Sequence, residues 1–121
     1  MDFGLSDEQL LLKETVRRFL AEQCPTSRVR AIMETETGHD AHLWGALAEL
    51  GLTGLQAPEA HGGSGLELLD VALAAEELGY AATPGPFLAH SMAIAALRAG
   101  GDSATASEWL PRLAAGTSIA A

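Results

Sequence analysis

The chain has 121 residues, 48% of them apolar and 19% charged, which suffices to bury the core of one small domain. Sixteen acidic residues against seven basic ones give a net charge of −9. Because nucleic acids and anionic membrane surfaces both bind basic patches, we expect neither as a partner. Abundant alanine and leucine with few aromatic residues favour helices.

The single cysteine, Cys24, excludes an internal disulfide, as is typical of proteins in the reducing cytosol. No activating histidine is near it in sequence, so an ordinary cysteine at a helix end is predicted, with a reactive thiol as the alternative. The N-terminal stretch MDFGLSDEQ lacks the basic and apolar segments of a signal peptide. We therefore expect a cytoplasmic protein.

Caps and apolar periodicity predict three helices in the first half of the chain. Ser6 opens a capping box with Gln9, and an apolar stripe follows, so the first helix is expected over about 7–23. The second helix is expected to follow Pro25 and to run to about residue 34. The third is expected to begin after Asp40 and to stop at Gly51.

Three more helices are predicted in the second half. The fourth spans about 66–80, with Ser64 as a possible cap, and the fifth spans about 87–99. The sixth is capped by Asp102 or Ser103, and Pro111 is expected to kink or split it. The predicted fold is therefore an all-α domain, an orthogonal or up-down bundle of about six helices.

Residues 78–97 contain no Asp, Glu, Lys or Arg. This length could suggest a membrane span, but Gly79, Pro84, Gly85, Pro86 and His90 interrupt it. A helix buried within protein is the preferred interpretation.

The stretch PEAHGGSGLE, residues 58–67, raises the possibility of a phosphate-binding loop. It lacks the lysine of a Walker loop, and a helix precedes it where a dinucleotide-binding fingerprint needs a strand. Glu59 and Glu67 would also repel phosphate. We predict that Gly62, Gly63 and Gly65 form a tight turn.

Three other clusters contain residue types that carry chemistry: His39, Asp40 and His42; Glu76 and Glu77; and His90 and Ser91. The first lacks a fourth metal ligand at a recognisable spacing, so a solvated helix start is predicted. The adjacent carboxylates point about 100° apart on a helix, which favours solvated or capping roles. The histidine and serine also diverge and have no third partner, so a hydrogen-bonded interior histidine is predicted.

Six segments, in order, resemble the N-terminal helical domain of the acyl-CoA dehydrogenase family. They are FGLSDEQ with VRRFL, LWGALAELGLTGL, PEAHGGSG, AEELG, AHS and WLPRLAAG. The resemblance spans the whole chain and implies that residues 1–117 form this domain. Residues 118–121 would then begin a middle β-domain.

The resemblance implies a larger enzyme with a middle β-domain and a C-terminal four-helix bundle, supplied by the same protein or by a partner chain. Such enzymes bind FAD, form homo- or hetero-oligomers and oxidise acyl-CoA to 2,3-enoyl-CoA. A carboxylate base removes the α-proton, and a hydride passes from the β-carbon to the flavin. No catalytic residue is assigned to this chain, and we expect it neither to bind FAD tightly nor to turn over substrate alone. A non-catalytic helical interaction module, or a partner subunit of a heteromeric dehydrogenase, is the alternative.

The resemblance also implies an acyl pocket beside the fifth helix. Leu88 and Met92 share one helical face, with Gly85 one turn earlier, so all three are candidate acyl-pocket residues. The alternative is that Leu88 and Met92 belong to the core. The segment PGPF resembles variants among bacterial members, some of which act on bulky or branched substrates.

Overall fold

The computed structural model describes residues 3–120, which contain six α-helices. They are α1 Asp7–Gln23, α2 Thr26–Met33, α3 Ala41–Glu49, α4 Leu68–Tyr80, α5 Phe87–Gly100 and α6 Ser103–Ala114. Two 3-10 turns, Leu52–Gly54 and Glu59–His61, connect α3 to α4. Residues 3–120 contain no strand, so the predicted all-α class is confirmed.

Local capping starts three helices where the sequence predicts. At α1, Gln9 N–H donates to Ser6 Oγ at 3.2 Å, and Ser6 N–H donates to Gln9 Oε1 at 2.9 Å. At α6, Thr105 N–H donates to Asp102 Oδ1 at 2.8 Å, so Asp102 is the cap. Asp40 caps α3 in the same way. Each bond satisfies a backbone donor at a helix start that would otherwise lack a partner.

Helix α6 is continuous through Pro111, so the expected split near Leu110 is wrong. Proline removes one intrahelical hydrogen bond, to the carbonyl of Ser107 four residues earlier. Pro111 and Ser107 are both exposed, and water can satisfy the carbonyl. The helix therefore tolerates the proline on its solvent side.

Helix α4 begins two residues later than predicted, and Ser64 is not its cap. Ser64 N–H and Leu66 N–H donate to the carbonyls of Gly54 and Leu55 at 3.0 and 2.8 Å, which fixes this segment against the first 3-10 turn. Glu67 is the N-cap, and its N–H donates to Asp70 Oδ2 at 3.0 Å. Contacts distant in sequence thus delay the start of the helix.

Helix α4 is buried along one face, but not at its first residues. Val71, Ala74 and Leu78 are buried, whereas Leu68 and Leu69 are exposed. Helix α1 is the main packing partner of α4. Burial of α4 thus begins at Val71, after its first residues.

Two hydrophobic clusters form the core. The larger one includes Val16 and Leu20 of α1 and Leu43 and Leu47 of α3, and the smaller one lies between α5 and α6 around Ile94. Two hydrogen bonds connect α3 and the first 3-10 turn to the end of α6. Trp44 Nε1–H donates to Gly116 O at 3.1 Å, and Thr53 Oγ1–H donates to Ala114 O at 2.8 Å.

No helix within residues 3–120 has the length and apolar character to cross a bilayer. The charge-free stretch is divided between the end of α4 and most of α5, with a turn over 81–86. Residues 118–120 are not helical. The prediction that 118–121 begins another domain stays a prediction, and Ala121 lies outside the described residues.

Candidate functional site

The glycine-rich loop does not have the geometry of a phosphate cradle. Its consecutive backbone N–H groups all donate to backbone carbonyls at 2.8–3.1 Å; the donors are Gly62, Gly63, Ser64, Gly65 and Leu66. A phosphate site needs such N–H groups to be free and convergent. The loop instead closes on residues 54–59, as the turn interpretation predicts.

The candidate metal cluster is a helix start. Asp40 Oδ1 accepts from the N–H groups of His42 and Leu43 at 2.8 and 3.1 Å, and Asp40 Oδ2 accepts from Arg28 Nη2 at 3.2 Å. The Leu43 N–H, assisted by Arg28, lowers the pKa of the Asp40 carboxyl. Among residues 3–120 no group of three histidine, cysteine or acidic side chains is arranged to hold a metal. The carboxylate is thus occupied by capping and ion pairing.

The two adjacent carboxylates of α4 have different roles. Glu76 is exposed, as predicted, but the Glu77 side chain is only 1% exposed, so the solvated role predicted for it is wrong. Arg17 donates to both Glu77 oxygens, at 2.9 and 3.1 Å, and Lys13 Nζ lies 3.8 Å from Oε1. Charge pairing with α1 accounts for burial of this carboxylate. It leaves Glu77 occupied, which argues against a role as a catalytic base.

Cys24 ends α1 and is buried, as the helix-end interpretation predicts. Burial raises the pKa of its thiol, because the thiolate would lose hydration. A buried thiol with a raised pKa is a poor nucleophile. Cys24 therefore serves as a small core side chain.

His90 is a hydrogen-bonded interior histidine, as predicted. Its side chain is fully buried, and Nε2 lies 3.1 Å from Thr53 O and 2.9 Å from Leu113 O. Ala120 N–H donates to Nδ1 at 3.4 Å, so the neutral tautomer with the proton on Nε2 fits all three contacts. The rings of Trp44 and His90 pack in a T-shaped arrangement with centroids 5.0 Å apart. These contacts occupy both ring nitrogens and leave none for Ser91.

Stability is expected to fall as the pH drops below about 6.5. Burial lowers the pKa of His90 despite its bonds to two carbonyls, so the unfolded chain binds one more proton than the folded chain in this range. The unfolding free energy should then decrease by up to about 1.4 kcal/mol per pH unit. Denaturant titrations between pH 7 and pH 5 measure the slope.

The control for this pH dependence is His90→Gln, which should remove the slope while Asp40 and Asp102 remain. The lowered pKa values of those two carboxyls affect stability only at more acidic pH. A parent chain with constant stability from pH 6.5 to pH 5 would contradict the assignment.

The candidate acyl-pocket residues lie at the surface of the chain. Leu88 is 67% exposed and Met92 is 63% exposed, so the alternative that they belong to the core is wrong for the described chain. Gly85 precedes α5 with φ +140°, in the region that favours glycine. We call the exposed apolar surface of Leu88 and Met92 the α5 face.

Two grooves meet at Gly85. One, of about 270 Å³, runs between the end of α4, with Ala75 and Gly79, and the start of α5, with Phe87 and Leu88. The other, of about 450 Å³, lies between residues 37–39, Gly85 with Pro86, and Ile119. The structure thus places Gly85 and Leu88 along one groove, while Met92 lies one turn further along α5 without lining it.

Sequence reasoning missed the contribution of α4 to this groove. In the sequence, Gly79 is only an interruption of an apolar stretch, and nothing marks Ala82 as unusual. Ala82 has φ +53° and is the one non-glycine residue with positive φ among residues 3–120. The available signal was a glycine inside the predicted helix, one residue before its end.

The comparisons with known proteins agree with this architecture. The family model described as the acyl-CoA dehydrogenase N-terminal domain matches residues 6–117. The chain belongs to the acyl-CoA dehydrogenase family. The acyl-CoA dehydrogenase IpdE2 of Mycolicibacterium smegmatis is 41% identical over 116 residues, which cover 95% of this chain and 36% of that protein. Mitochondrial isovaleryl-CoA dehydrogenase of Pongo abelii is 36% identical over 121 residues, which cover 98% and 29%.

Solved structures of the acyl-CoA dehydrogenase family share the fold. A variant of the Tcur3481-Tcur3483 steroid ACAD has a TM-score of 0.87 at 30% identity, over 93% of this chain and 31% of that one. A chain of the ChsE4-ChsE5 complex of Mycobacterium tuberculosis has a TM-score of 0.88 at 26% identity, over 98% of this chain and 33% of that one. An acyl-CoA dehydrogenase complexed with FAD from Bacillus anthracis has a TM-score of 0.81 at 26% identity, over 97% and 20%. The chain thus spans about a third or less of the proteins it matches.

Proposed function

We propose that this chain is the N-terminal domain of a flavin-dependent acyl-CoA dehydrogenase that introduces an α,β double bond into an acyl-CoA thioester. The chain contributes part of the acyl-pocket wall and part of the surface facing the other domains or subunits. The observation that carries the proposal is the α5 face, an exposed pair of apolar side chains beside a groove between α4 and α5.

The chemistry of the groove suits an acyl group. An acyl chain beyond its thioester needs apolar contact and no hydrogen-bonding partner. Leu88 supplies a branched apolar wall, and the flexible thioether of Met92 can adapt to differently shaped groups. Residues 78–97 carry no formal charge that would need hydration beside such a ligand.

Bulky or branched acyl groups are the proposed substrate class. The two grooves that share Gly85 offer about 270 and 450 Å³ and are both open at the surface. Relatives with names that specify a branched or ring-bearing compound, isovaleryl-CoA dehydrogenase and a steroid ACAD, favour this class.

The catalytic base and the flavin site are assigned to the rest of the enzyme. In the described part of this chain, Glu77 is held by Arg17 and Lys13, and the glycine-rich loop has no free N–H groups for a pyrophosphate. These residues do not fit FAD. When bound in the complete enzyme, FAD supplies the hydride acceptor.

The remaining domains come from the same protein or from a partner chain, in a homo- or hetero-oligomer located in the cytoplasm. A second candidate function is a non-catalytic helical subunit of a heteromeric dehydrogenase. The similarity to a chain of the ChsE4-ChsE5 complex, which contains two different subunits, supports this second candidate. In that case the α5 face would be covered by protein instead of by an acyl group.

The double variant Leu88→Ser with Met92→Ser tests the function in the complete enzyme. We expect kcat/KM for a bulky acyl-CoA to fall roughly thirtyfold, because losing half the apolar contact of two side chains costs about 2 kcal/mol. The stability of the chain should change by less than about 0.5 kcal/mol, since both residues are exposed. Steady-state kinetics, with CoA as a competing ligand without an acyl group, measure the effect.

Leu11→Ser is the matched control. Leu11 is 62% exposed on α1 and lines neither groove, so its replacement should leave kinetics unchanged. Loss of subunit or domain assembly in the double variant, without a change in KM, would favour the second candidate. An assembled enzyme with unchanged kinetics on acyl-CoA would contradict the acyl-pocket assignment.

A further inference from the structure

At the end of α4, a glycine occupies a helical position that favours alanine, and an alanine occupies a positive-φ position that favours glycine. Gly79 has a helical backbone, where glycine is less stable than alanine. Ala82, just past the C-cap, has φ +53°, where glycine is the usual residue. Backbone preference therefore explains neither residue.

Packing within the chain does not explain Gly79 either. Apart from its chain neighbours and the nearby backbone of its own helix, a Cβ built on Gly79 would have no heavy atom within 4 Å, so an alanine would fit without any adjustment of its neighbours. Gly63 differs, because a Cβ there would lie 2.1 Å from Ala57 O. The folded chain by itself thus gives Gly79 a cost and no benefit.

Gly79 does have a position in the groove. It lines the groove between α4 and α5 together with Ala75 and Ala82, and Leu88 of the α5 face lies on the other wall. Any side chain at position 79 would narrow the space that the groove leaves open. The absence of a side chain at Gly79 therefore leaves more room in the groove for a ligand.

We propose that Gly79 is a specificity-determining residue that sets how bulky an acyl group the groove accepts. The inference rests on the proposed function and deepens it. Small residues on α4 leave room for a branched or ring-bearing group against Leu88. A larger side chain at position 79 restricts the groove to short acyl groups.

The test compares Gly79→Val with the parent in the complete enzyme on butyryl-CoA, isovaleryl-CoA and 3-phenylpropionyl-CoA. We expect kcat/KM for 3-phenylpropionyl-CoA to fall at least about tenfold relative to butyryl-CoA, which is the scale of one poorly accommodated group in an apolar pocket. The unfolding midpoint should not fall, because the position is open. If Gly79 had only a structural role, the ratio of kcat/KM for 3-phenylpropionyl-CoA to that for butyryl-CoA would not change tenfold.

Gly45→Val is the matched control. Gly45 is also an exposed helical glycine whose added Cβ would meet nothing within 4 Å, and it lines neither groove. The control should leave the substrate ratio unchanged. A similar change of the ratio in both variants would overturn the inference.

Gly79→Cys gives a second measurement that needs no turnover. Maleimide labelling of the complete enzyme should be slowed by saturating 3-phenylpropionyl-CoA and not by CoA alone, whereas Gly45→Cys should label equally under all conditions. Cys24 is buried and contributes little background. Protection confined to position 79 supports the inference.

The outcomes separate the inference from the proposed function. A parent enzyme that processes and binds none of the three acyl-CoAs would overturn the proposed function and the inference with it. An active parent with the same substrate ratio in Gly79→Val would overturn the inference alone. Loss of assembly in Gly79→Val but not in Gly45→Val would also overturn it, since protein would then fill the groove.

Discussion

Replacing Gly63 by alanine is expected to destabilise the chain by about 3 kcal/mol, at the upper end of the usual cost of overpacking. The added Cβ would lie 2.1 Å from the carbonyl oxygen of Ala57 and 2.5 Å from its carbonyl carbon. Both atoms belong to the backbone, and the neighbouring Gly65 N–H donates to the same oxygen at 2.9 Å. Relief of the overlap would therefore displace the loop from residues 54–59.

Urea titration of the Gly63→Ala chain measures this effect, and two other glycines calibrate it. Gly62→Ala meets open space but has φ +84°, so it should cost only about 1 kcal/mol. Gly45→Ala should stabilise α3 by up to about 1 kcal/mol. A Gly63→Ala chain no less stable than Gly62→Ala would contradict the close approach.

The glycine variants also address the phosphate hypothesis. The loop N–H groups are used within the chain, so loss of Gly63 should lower stability without removing a nucleotide contact of this domain. Its sequence shows that a turn is needed, because three glycines occur within four residues. The sequence does not show which constraint acts on which glycine. Gly63 is required because a Cβ there would overlap Ala57, whereas Gly62 is favoured by its positive φ.

Features set by neighbours in sequence could be predicted well. The helix starts at Ser6, Asp40 and Asp102 follow from side chains that bond N–H groups two or three residues away. The interior position of His90 could be predicted because it lies on an apolar helix and has no partners for a catalytic triad. Such inferences need no knowledge of the tertiary fold.

Features set by distant contacts could not be predicted. Burial of Glu77 depends on Arg17, sixty residues earlier in the chain. The start of α4 depends on bonds from Ser64 and Leu66 to the turn at residues 54–55. Apolar periodicity placed Leu88 and Met92 on one face of α5, but it cannot distinguish a face covered by the same domain from one left for a ligand or another domain.

His90→Ala is expected to have the largest effect on stability, about 4 kcal/mol. The change leaves a cavity beside Trp44 and removes the imidazole hydrogen bonds to Thr53 O and Leu113 O, and both losses are costly in a buried interior. Equilibrium denaturation of the chain measures the total. His42→Ala, an exposed histidine on α3, should change stability by less than about 0.5 kcal/mol.

His90→Phe separates the two contributions. Phenylalanine fills most of the space but cannot donate to either carbonyl, so about 2 kcal/mol of the loss should remain. If His90→Phe were as stable as the parent, the hydrogen bonds would contribute nothing and the ring would act only by volume. Because the imidazole joins α5 to the first 3-10 turn and to α6, its loss should loosen the support of α5. If Leu88 lines the acyl pocket, as proposed above, the same loss would weaken acyl-CoA binding in the complete enzyme without His90 itself contacting the substrate.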